Sequence, residues 1–294
     1  MTEFLLKNSH LEISKALFSN DGSIKYLLNT NDQRGVEAIY FPFEGYFDGN
    51  RIFASVVCLS SQVGCPIGCT FCETGRMKNP RNLSEEELLS QLDLISLNLK
   101  LNNKPPVDSI AIMGMGEPLL NLDNVLKFHD SASNIANIKR FSVSTVGIIP
   151  GMKRLKESGR DIKLYISVHT PFNDEREKII PVSRRYPVQD VINEAKSYSD
   201  IRNQKVVANY VLISGINDSK KHSEKLSELL DPYHFDITLN LLNPTPGGKL
   251  NPSSFESLAR FKQNLEARGF LTDIQLSKGI DISGGCGQLA TNEA

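Results

Sequence analysis

Beyond about residue 50 the chain alternates apolar, β-branched runs with amphipathic stretches, and this alternation restricts the fold more than any other feature. The runs 51–59, 109–113, 140–146, 163–168, 205–212 and 236–242 read as strands, and the segments between them read as helices. The clearest helix is 84–101. Ser84 opens a capping-box sequence, Ser84-Glu85-Glu86-Glu87, and Leu88, Leu92, Ile95 and Leu99 repeat at helical spacing. Further helices are expected at 121–132, 150–157, 188–197, 219–230 and 253–268. Repeated βα units imply an α/β fold built on a parallel sheet, here an open (βα)6 barrel. Residues 1–50 differ. Short alternating runs around Ile24-Lys25-Tyr26-Leu27-Leu28 and Val36-Glu37-Ala38-Ile39-Tyr40 predict a β-hairpin extension. The expected organisation is an N-terminal extension over 1–50, a partial barrel over 51–275 and a C-terminal loop over 276–294.

Three of the five cysteines stand together in Gly64-Cys65-Pro66-Ile67-Gly68-Cys69-Thr70-Phe71-Cys72. Three thiolates are one short of a closed site. A cubane iron–sulfur cluster ordinarily takes four, so three leave one iron free to hold a reacting molecule. A structural zinc ion would need a fourth Cys or His at short spacing, and no histidine lies between Phe41 and Leu122. Three cysteines that only pack in the core form the remaining reading, and the Gly and Pro residues around them suit a loop better.

Working groups of βα barrels sit at the C-terminal ends of strands, and the other conspicuous motifs fall there. Met113-Gly114-Met115-Gly116-Glu117-Pro118 follows one strand. Its glycines admit close backbone approach, and Glu117 can accept hydrogen bonds from an ammonium group. Ser144-Thr145-Val146-Gly147, Ser167-Val168-His169 and Asn243-Pro244 end three others, where helix capping is the plain alternative role. Cys58 lies seven residues before the triplet. Cys286, in Gly284-Gly285-Cys286-Gly287-Gln288-Leu289, has glycine on both sides, which suits a reactive thiol better than a packed one.

No run approaches the roughly 18 apolar residues of a membrane span, and Met1 to Asn8 lacks a signal-peptide pattern. With an odd cysteine count, this predicts a soluble, cytoplasmic protein of a reducing compartment. The net charge of −1 does not announce nucleic-acid binding, although Arg184-Arg185 and Lys220-Lys221 are local phosphate-contact candidates.

The cysteine triplet has the spacing of radical S-adenosylmethionine (SAM) enzymes. Val57-Cys58-Leu59-Ser60-Ser61-Gln62-Val63-Gly64-Cys65, Met113 to Pro118, Ser144-Thr145-Val146-Gly147-Ile148-Ile149-Pro150, Ser167-Val168-His169-Thr170-Pro171, Gly215-Ile216-Asn217-Asp218-Ser219 and Cys286-Gly287-Gln288-Leu289 together resemble the RlmN/Cfr family. Its members are radical SAM methyltransferases acting on an RNA adenine, at C2 or C8. The resemblance runs from about Asp21 to Ala290.

The resemblance implies a role for every cysteine. Cys65, Cys69 and Cys72 would hold a [4Fe-4S] cluster, and Cys286 would take a methyl group from a first SAM. A second SAM, cleaved at the cluster, would supply the radical that removes a hydrogen from that methyl. The carbon radical would add to adenine, and Cys58 would attack the Cys286 sulfur to free the product. Gly116, Glu117, Ser144, Ser167, Val168, His169 and Asn243 match SAM-contacting positions, and Glu37 matches a proton acceptor. The implied partners are rRNA or tRNA and a reductant such as flavodoxin or ferredoxin, and the expected state is a monomer.

Several positions depart from the family pattern. RlmN and Cfr carry an N-terminal helical accessory domain, whereas this chain starts almost at the hairpin. Ser283-Gly284-Gly285 replaces Asp-Ala-Ala, Gln275 replaces arginine, Glu73 replaces Ala or Ser, and Ser183 replaces Asn. A second expectation keeps the chemistry but places it on a smaller nucleotide or a non-nucleic-acid substrate. A third, a binding paralogue without turnover, has no use for two reactive thiols.

Overall fold

The computed structural model describes residues 9–47, 50–135, 137–246 and 248–290. The chain opens with an antiparallel meander of β1 (Leu11–Phe18), β2 (Ile24–Thr30), β3 (Gly35–Phe47) and β4 (Asn50–Leu59). A two-stranded ribbon, β5 (Gln62–Val63) and β6 (Arg81–Asn82), precedes helix α1 (Glu85–Leu101). The βα units continue with β7 (Ser109–Ile112), α2 (Leu122–Ala132), β8 (Arg140–Thr145), α3 (Ile149–Glu157) and β9 (Lys163–Ser167). Then come α4 (Asn173–Ile179), α5 (Val188–Arg202), β10 (Val206–Leu212), α6 (Lys220–Leu229), β11 (Phe235–Leu241), α7 (Phe255–Glu266) and β12 (Thr272–Ile274). From β4 through β7, β8, β9, β10, β11 to β12 each neighbour pairs in parallel, which is the open barrel that the alternation predicts.

Local signals account for these elements. The capping box at α1 is closed in both directions: Glu87 N donates to Ser84 Oγ at 3.2 Å, and Ser84 N donates to Glu87 Oε2 at 2.9 Å. Arg81 grips Glu87 at 2.8 Å and Asp32 of the β2–β3 turn at 2.7 Å, joining the meander to the barrel. The barrel strands alternate in burial. Val57 and Leu59, Val143 and Thr145, and Ile166 and Val168 are buried against the helices. Between them Cys58, Ser144 and Ser167 are only half-buried, and by strand alternation they face the barrel interior.

The N-terminal hairpin is in fact the meander β1–β3, continuous with the barrel sheet through β4. Strand β1 escapes the alternation pattern because its register shifts between Ile13 and Lys15, a bulge that breaks the two-residue period. The seventh parallel strand, β12, has only three residues. Helix α4 was not expected, since its sequence Asn-Asp-Glu-Arg-Glu-Lys-Ile shows no apolar stripe. Among the described residues no helix is long and apolar enough to cross a membrane.

Candidate active site

The loop of Cys65, Cys69 and Cys72 leaves the C-terminal end of β4 and is closed at its base by the β5–β6 ribbon, where Gln62 Nε2 donates to Asn82 Oδ1 at 2.7 Å. It is tied in two directions: Thr70 N donates to Ile179 O of α4 at 3.0 Å, and Glu73 N donates to Gly287 O at 2.9 Å. Burial, and then the neighbouring Cys72 and Cys65, push the Cys69 thiol well above its ordinary value, so the three thiols lie within electrostatic reach of one another. Yet among the described residues no three His, Cys, Asp or Glu side chains group closely enough to hold a single metal ion. By donor chemistry three cysteine thiolates suit a cubane cluster with one iron left free.

The glycine motif packs over this loop. Gly116 has φ +100°, and a Cβ there would come within 2.6 Å of Gln62, so this turn requires glycine. Glu117 is buried and held by three donors: Oε1 accepts from Leu119 N (3.0 Å) and Thr145 Oγ1 (2.7 Å), and Oε2 accepts from Val146 N (2.9 Å), which leaves room for one more donor on Oε2. Burial outweighs these bonds and raises its pKa from 4.5 to about 7. Between those values the folded chain holds a proton that the unfolded chain has released, so stability falls as pH rises through this window. Glu117→Gln is expected to remove roughly 3 kcal/mol of that pH dependence. Urea midpoints of the cluster-free protein at pH 5 and pH 8 measure it, and an unchanged difference would assign the slope elsewhere. Glu37 and Asp93, also raised by burial, keep a residual slope of the same sign.

Ser144 and Ser167 present hydroxyls without a hydrogen-bond partner among the described residues, so both are free to accept or donate to a ligand. Val168 is buried, and its N–H donates to Asn209 O at 3.0 Å. His169 has φ +58°; its Nδ1 accepts from Val211 N at 3.2 Å, and its ring meets the edge of Phe71, inside the cysteine loop, at 5.0 Å. Burial, and then the Arg176 charge, lower its pKa to about 3, so the imidazole is neutral with its proton on Nε2. Arg176, which sequence reasoning missed, is fully buried and knots these strand ends. It donates to Val168 O, Ser183 Oγ, Val146 O and Ser167 O at 3.0, 2.8, 2.7 and 2.7 Å.

Cys58 lies on β4 opposite Ala111 of β7 and Ile39 of β3. Burial and then the Cys286 thiol raise its pKa far above the ordinary value, and Cys286 is in turn raised by protein around it and then by Cys72. Cys286 is exposed at the surface of this recess, and no cysteine is in a disulfide among the described residues. The loop that carries Cys286 packs on the cysteine loop, where a Cβ at Gly287 would lie 3.1 Å from Phe71 O and 3.9 Å from Cys72 Cα. Asn243 Nδ2 donates to Cys286 O at 2.9 Å and to Ser277 Oγ at 2.7 Å, so this side chain holds the loop. A Cβ at Gly285 would lie 2.7 Å from Asn243 Nδ2. Gly285→Ala is expected to break the Asn243 bond and raise the alkylation rate of Cys286 about threefold or more; equal rates would show that the amide yields without cost.

Among the described residues Glu37 makes no hydrogen bond to either thiol. Its Oε1 meets Lys25 Nζ at 3.0 Å and its Oε2 accepts from Ala290 N at 3.1 Å. Lys25 was missed because a lysine in a short N-terminal strand ordinarily points to solvent.

Three thiols on one loop at the mouth of an open parallel barrel, with a glycine–glutamate turn beside them, is the layout of radical SAM enzymes. A model of the radical SAM superfamily matches residues 59–226. The chain is 37% identical over 287 residues to a probable dual-specificity RNA methyltransferase RlmN of Thermus thermophilus, covering 96% of this chain and 78% of the relative. It is 37% identical over 282 residues to the corresponding protein of Thermotoga neapolitana, covering 94% and 78%. The crystal structure of a radical SAM methyltransferase from Sphaerobacter thermophilus superposes with a TM-score of 0.88 at 34% identity, covering 96% of this chain and 81% of that one. The chain belongs to the RlmN/Cfr family and is an enzyme of the RlmN type. Family membership brings with it a [4Fe-4S] cluster and SAM.

Proposed function

We propose that this enzyme adds a carbon-bound methyl group to an adenine of rRNA or tRNA, by way of S-methylcysteine at Cys286, with two SAM molecules per turnover. The observation that carries this reading is the seating of the Cys286 loop on the cysteine loop, where Glu73 N donates to Gly287 O at 2.9 Å and a Cβ at Gly287 would lie 3.9 Å from Cys72 Cα. Binding alone needs neither Cys58 nor Cys286. The matched relatives are named as RNA methyltransferases, which supports RNA over a smaller substrate.

Cys65, Cys69 and Cys72 would hold the cluster, and Gly116, Glu117, Ser144, Ser167, Val168, His169 and Asn243 would line the SAM site. The cluster and SAM together supply a 5'-deoxyadenosyl radical. The chain's own residues do the rest. Cys286 thiolate would attack the methyl carbon of the first SAM and expel S-adenosylhomocysteine, and that methyl would later give up one hydrogen atom to the radical derived from the second. The sulfur-bound methylene then bonds to the adenine carbon. Cys58 thiolate attacks the Cys286 sulfur, the sulfur–carbon bond breaks, and a disulfide forms. The ring carbon would lose its proton and the new methyl would gain one, and the cluster, held by Cys65, Cys69 and Cys72, would supply the acceptor for the surplus electron. Glu37, a carboxylate made more basic by burial, would take up the ring proton. A flavodoxin or ferredoxin would supply electrons to a monomeric, cytoplasmic enzyme.

The test is the Cys58→Ala variant, reconstituted anaerobically with iron and sulfide, reduced, and given SAM with total cellular RNA. Peptide mass spectrometry is expected to find an adenine-bearing remnant on the Cys286 peptide. Methyl alone on Cys286 would move the substrate away from RNA. Unmodified Cys286 beside cleaved SAM would refute the methylcysteine route.

A further inference from the structure

The segment around Cys286 has little stiffness of its own. Glycine stands at 284, 285 and 287, and each glycine carries extra backbone entropy that an ordered loop must lose. Order has to be imposed from outside, and much of it comes from the N-terminal meander. Ser19 Oγ donates to Asp281 Oδ1 at 2.6 Å, and Gly279 N donates to Asp21 Oδ2 at 2.9 Å, which docks the approach to the loop on the β1–β2 turn. Beyond that turn lies a buried ion pair. Lys25 on β2 and Glu37 on β3 are diagonal neighbours, since Lys25 pairs with Ile39 and Leu27 with Glu37. They are 8% and 5% exposed, which places a full charge pair in the interior beside the loop.

The pair holds both ends of the reactive segment. Lys25 Nζ donates to Ser283 O at 3.2 Å while it contacts Glu37 Oε1 at 3.0 Å. The second carboxylate oxygen, Oε2, accepts from Ala290 N at 3.1 Å. Ser283 carries a left-handed φ of +53°, a strained conformation for a serine that its surroundings must maintain. A single ion pair therefore grips the entry of the loop through its cation and the exit through its anion.

We propose that Lys25, acting with Glu37, is a positioning residue for Cys286: the buried pair is a two-ended latch that keeps the 283–290 loop seated between the cysteine triplet and Cys58. The proposal rests on Cys286 being the reactive thiol, as in the reading above. An ion pair suits a latch because its halves do not fail separately. Removing one partner leaves the other as an uncompensated buried charge, which the protein relieves by admitting water or moving the loop. Loss of Lys25 thus releases Ser283 directly and Ala290 through Glu37. The four anchors that the rest of the chain gives the loop, Asn243 on Cys286 O, Glu73 N on Gly287 O, Gln288 Nε2 on Pro244 O and Thr74 Oγ1 on Leu289 O, remain and limit the opening to its ends.

Cluster-containing wild type, Lys25→Met and Ala290→Pro are compared by hydrogen–deuterium exchange and by the rate of Cys286 alkylation with iodoacetamide. Lys25→Met is expected to speed exchange at both ends of 283–290 about tenfold and alkylation of Cys286 several-fold, with strands β7 to β11 unchanged. Ala290→Pro deletes only the donor to Glu37 and leaves the ion pair in place, so its increase should be smaller and confined to the exit end. Should Lys25→Met fail to fold, Ala290→Pro still decides. Wild-type exchange and alkylation at the loop in the variants that fold would overturn the latch. Neither readout needs RNA or turnover, so the latch can fail while the proposed methylation stands, and the reverse.

Discussion

Replacing Cys286 with alanine is expected to lower formation of methylated RNA by at least ~10³-fold while SAM is still cleaved to 5'-deoxyadenosine. The two outcomes separate because, Asn243 excepted, the groups that would hold SAM come from other elements than the thiol. Glu117, Ser144, Ser167 and His169 lie at the ends of β7, β8 and β9, whereas Cys286 arrives on the C-terminal loop, held by Asn243. Without the sulfur no methyl is presented to the radical, and cleavage runs uncoupled. Serine should not rescue, because its oxygen is a far poorer methyl acceptor at neutral pH than a thiolate. The measurement is paired quantification of 5'-deoxyadenosine and of methyladenosine by mass spectrometry. Retained RNA methylation in Cys286→Ala would end the methylcysteine mechanism for this chain. Loss of both products would show that Cys286 also supports the cluster or SAM site.

The sequence made the barrel legible because its strands carry apolar runs and its helices carry a 3.6-residue repeat, and both patterns come from burial against one continuous core. The cysteine triplet was equally plain, since three cysteines within eight residues need no tertiary information to be noticed. Contacts that bridge the chain were not. Lys25 finds Ser283 across 258 positions of sequence, and nothing local to Lys25 distinguishes it from a solvated lysine. The departure from the family at Ser283-Gly284-Gly285 was visible, but its cause was not. A Cβ at Gly284 would lie 2.6 Å from Ile39 Cδ1, and one at Gly285 would displace the Asn243 amide. In this chain Ile39 and Asn243 fill space that side chains at 284 and 285 would need. Asn243, expected at the SAM site, spends its amide on the Cys286 carbonyl and so also orients the thiol.

Arg176→Met is expected to cost roughly 3–5 kcal/mol and to lower the melting temperature by about 10 °C. The wild-type guanidinium binds three carbonyl oxygens and one hydroxyl, joining the ends of β8 and β9 to the segment after α4. Methionine fills much of the volume but takes the guanidinium donors from Val146 O, Ser167 O and Ser183 Oγ, while Val168 O keeps Thr170 N at 2.8 Å, and each acceptor left unpaired costs about 1–3 kcal/mol. The charge has a second consequence. Among the described residues Arg176 makes no ion pair with a carboxylate; burial drives its pKa down to about 10, and the Cys69 thiol is the charge that opposes this. A buried cation without a carboxylate partner gains most from an anionic neighbour, which three thiolates on a cluster would supply. Removing that positive charge favours the oxidised cluster, so the variant's reduction potential should become more negative. Arg176→Lys keeps the charge but cannot span four acceptors, so it should restore part of the potential and little of the stability. Thermal melts and an anaerobic redox titration followed by electron paramagnetic resonance separate the two effects. A wild-type melting temperature in Arg176→Met would show that the four bonds are replaced by water. A wild-type potential in that variant would show that the charge of Arg176 does not reach the cluster.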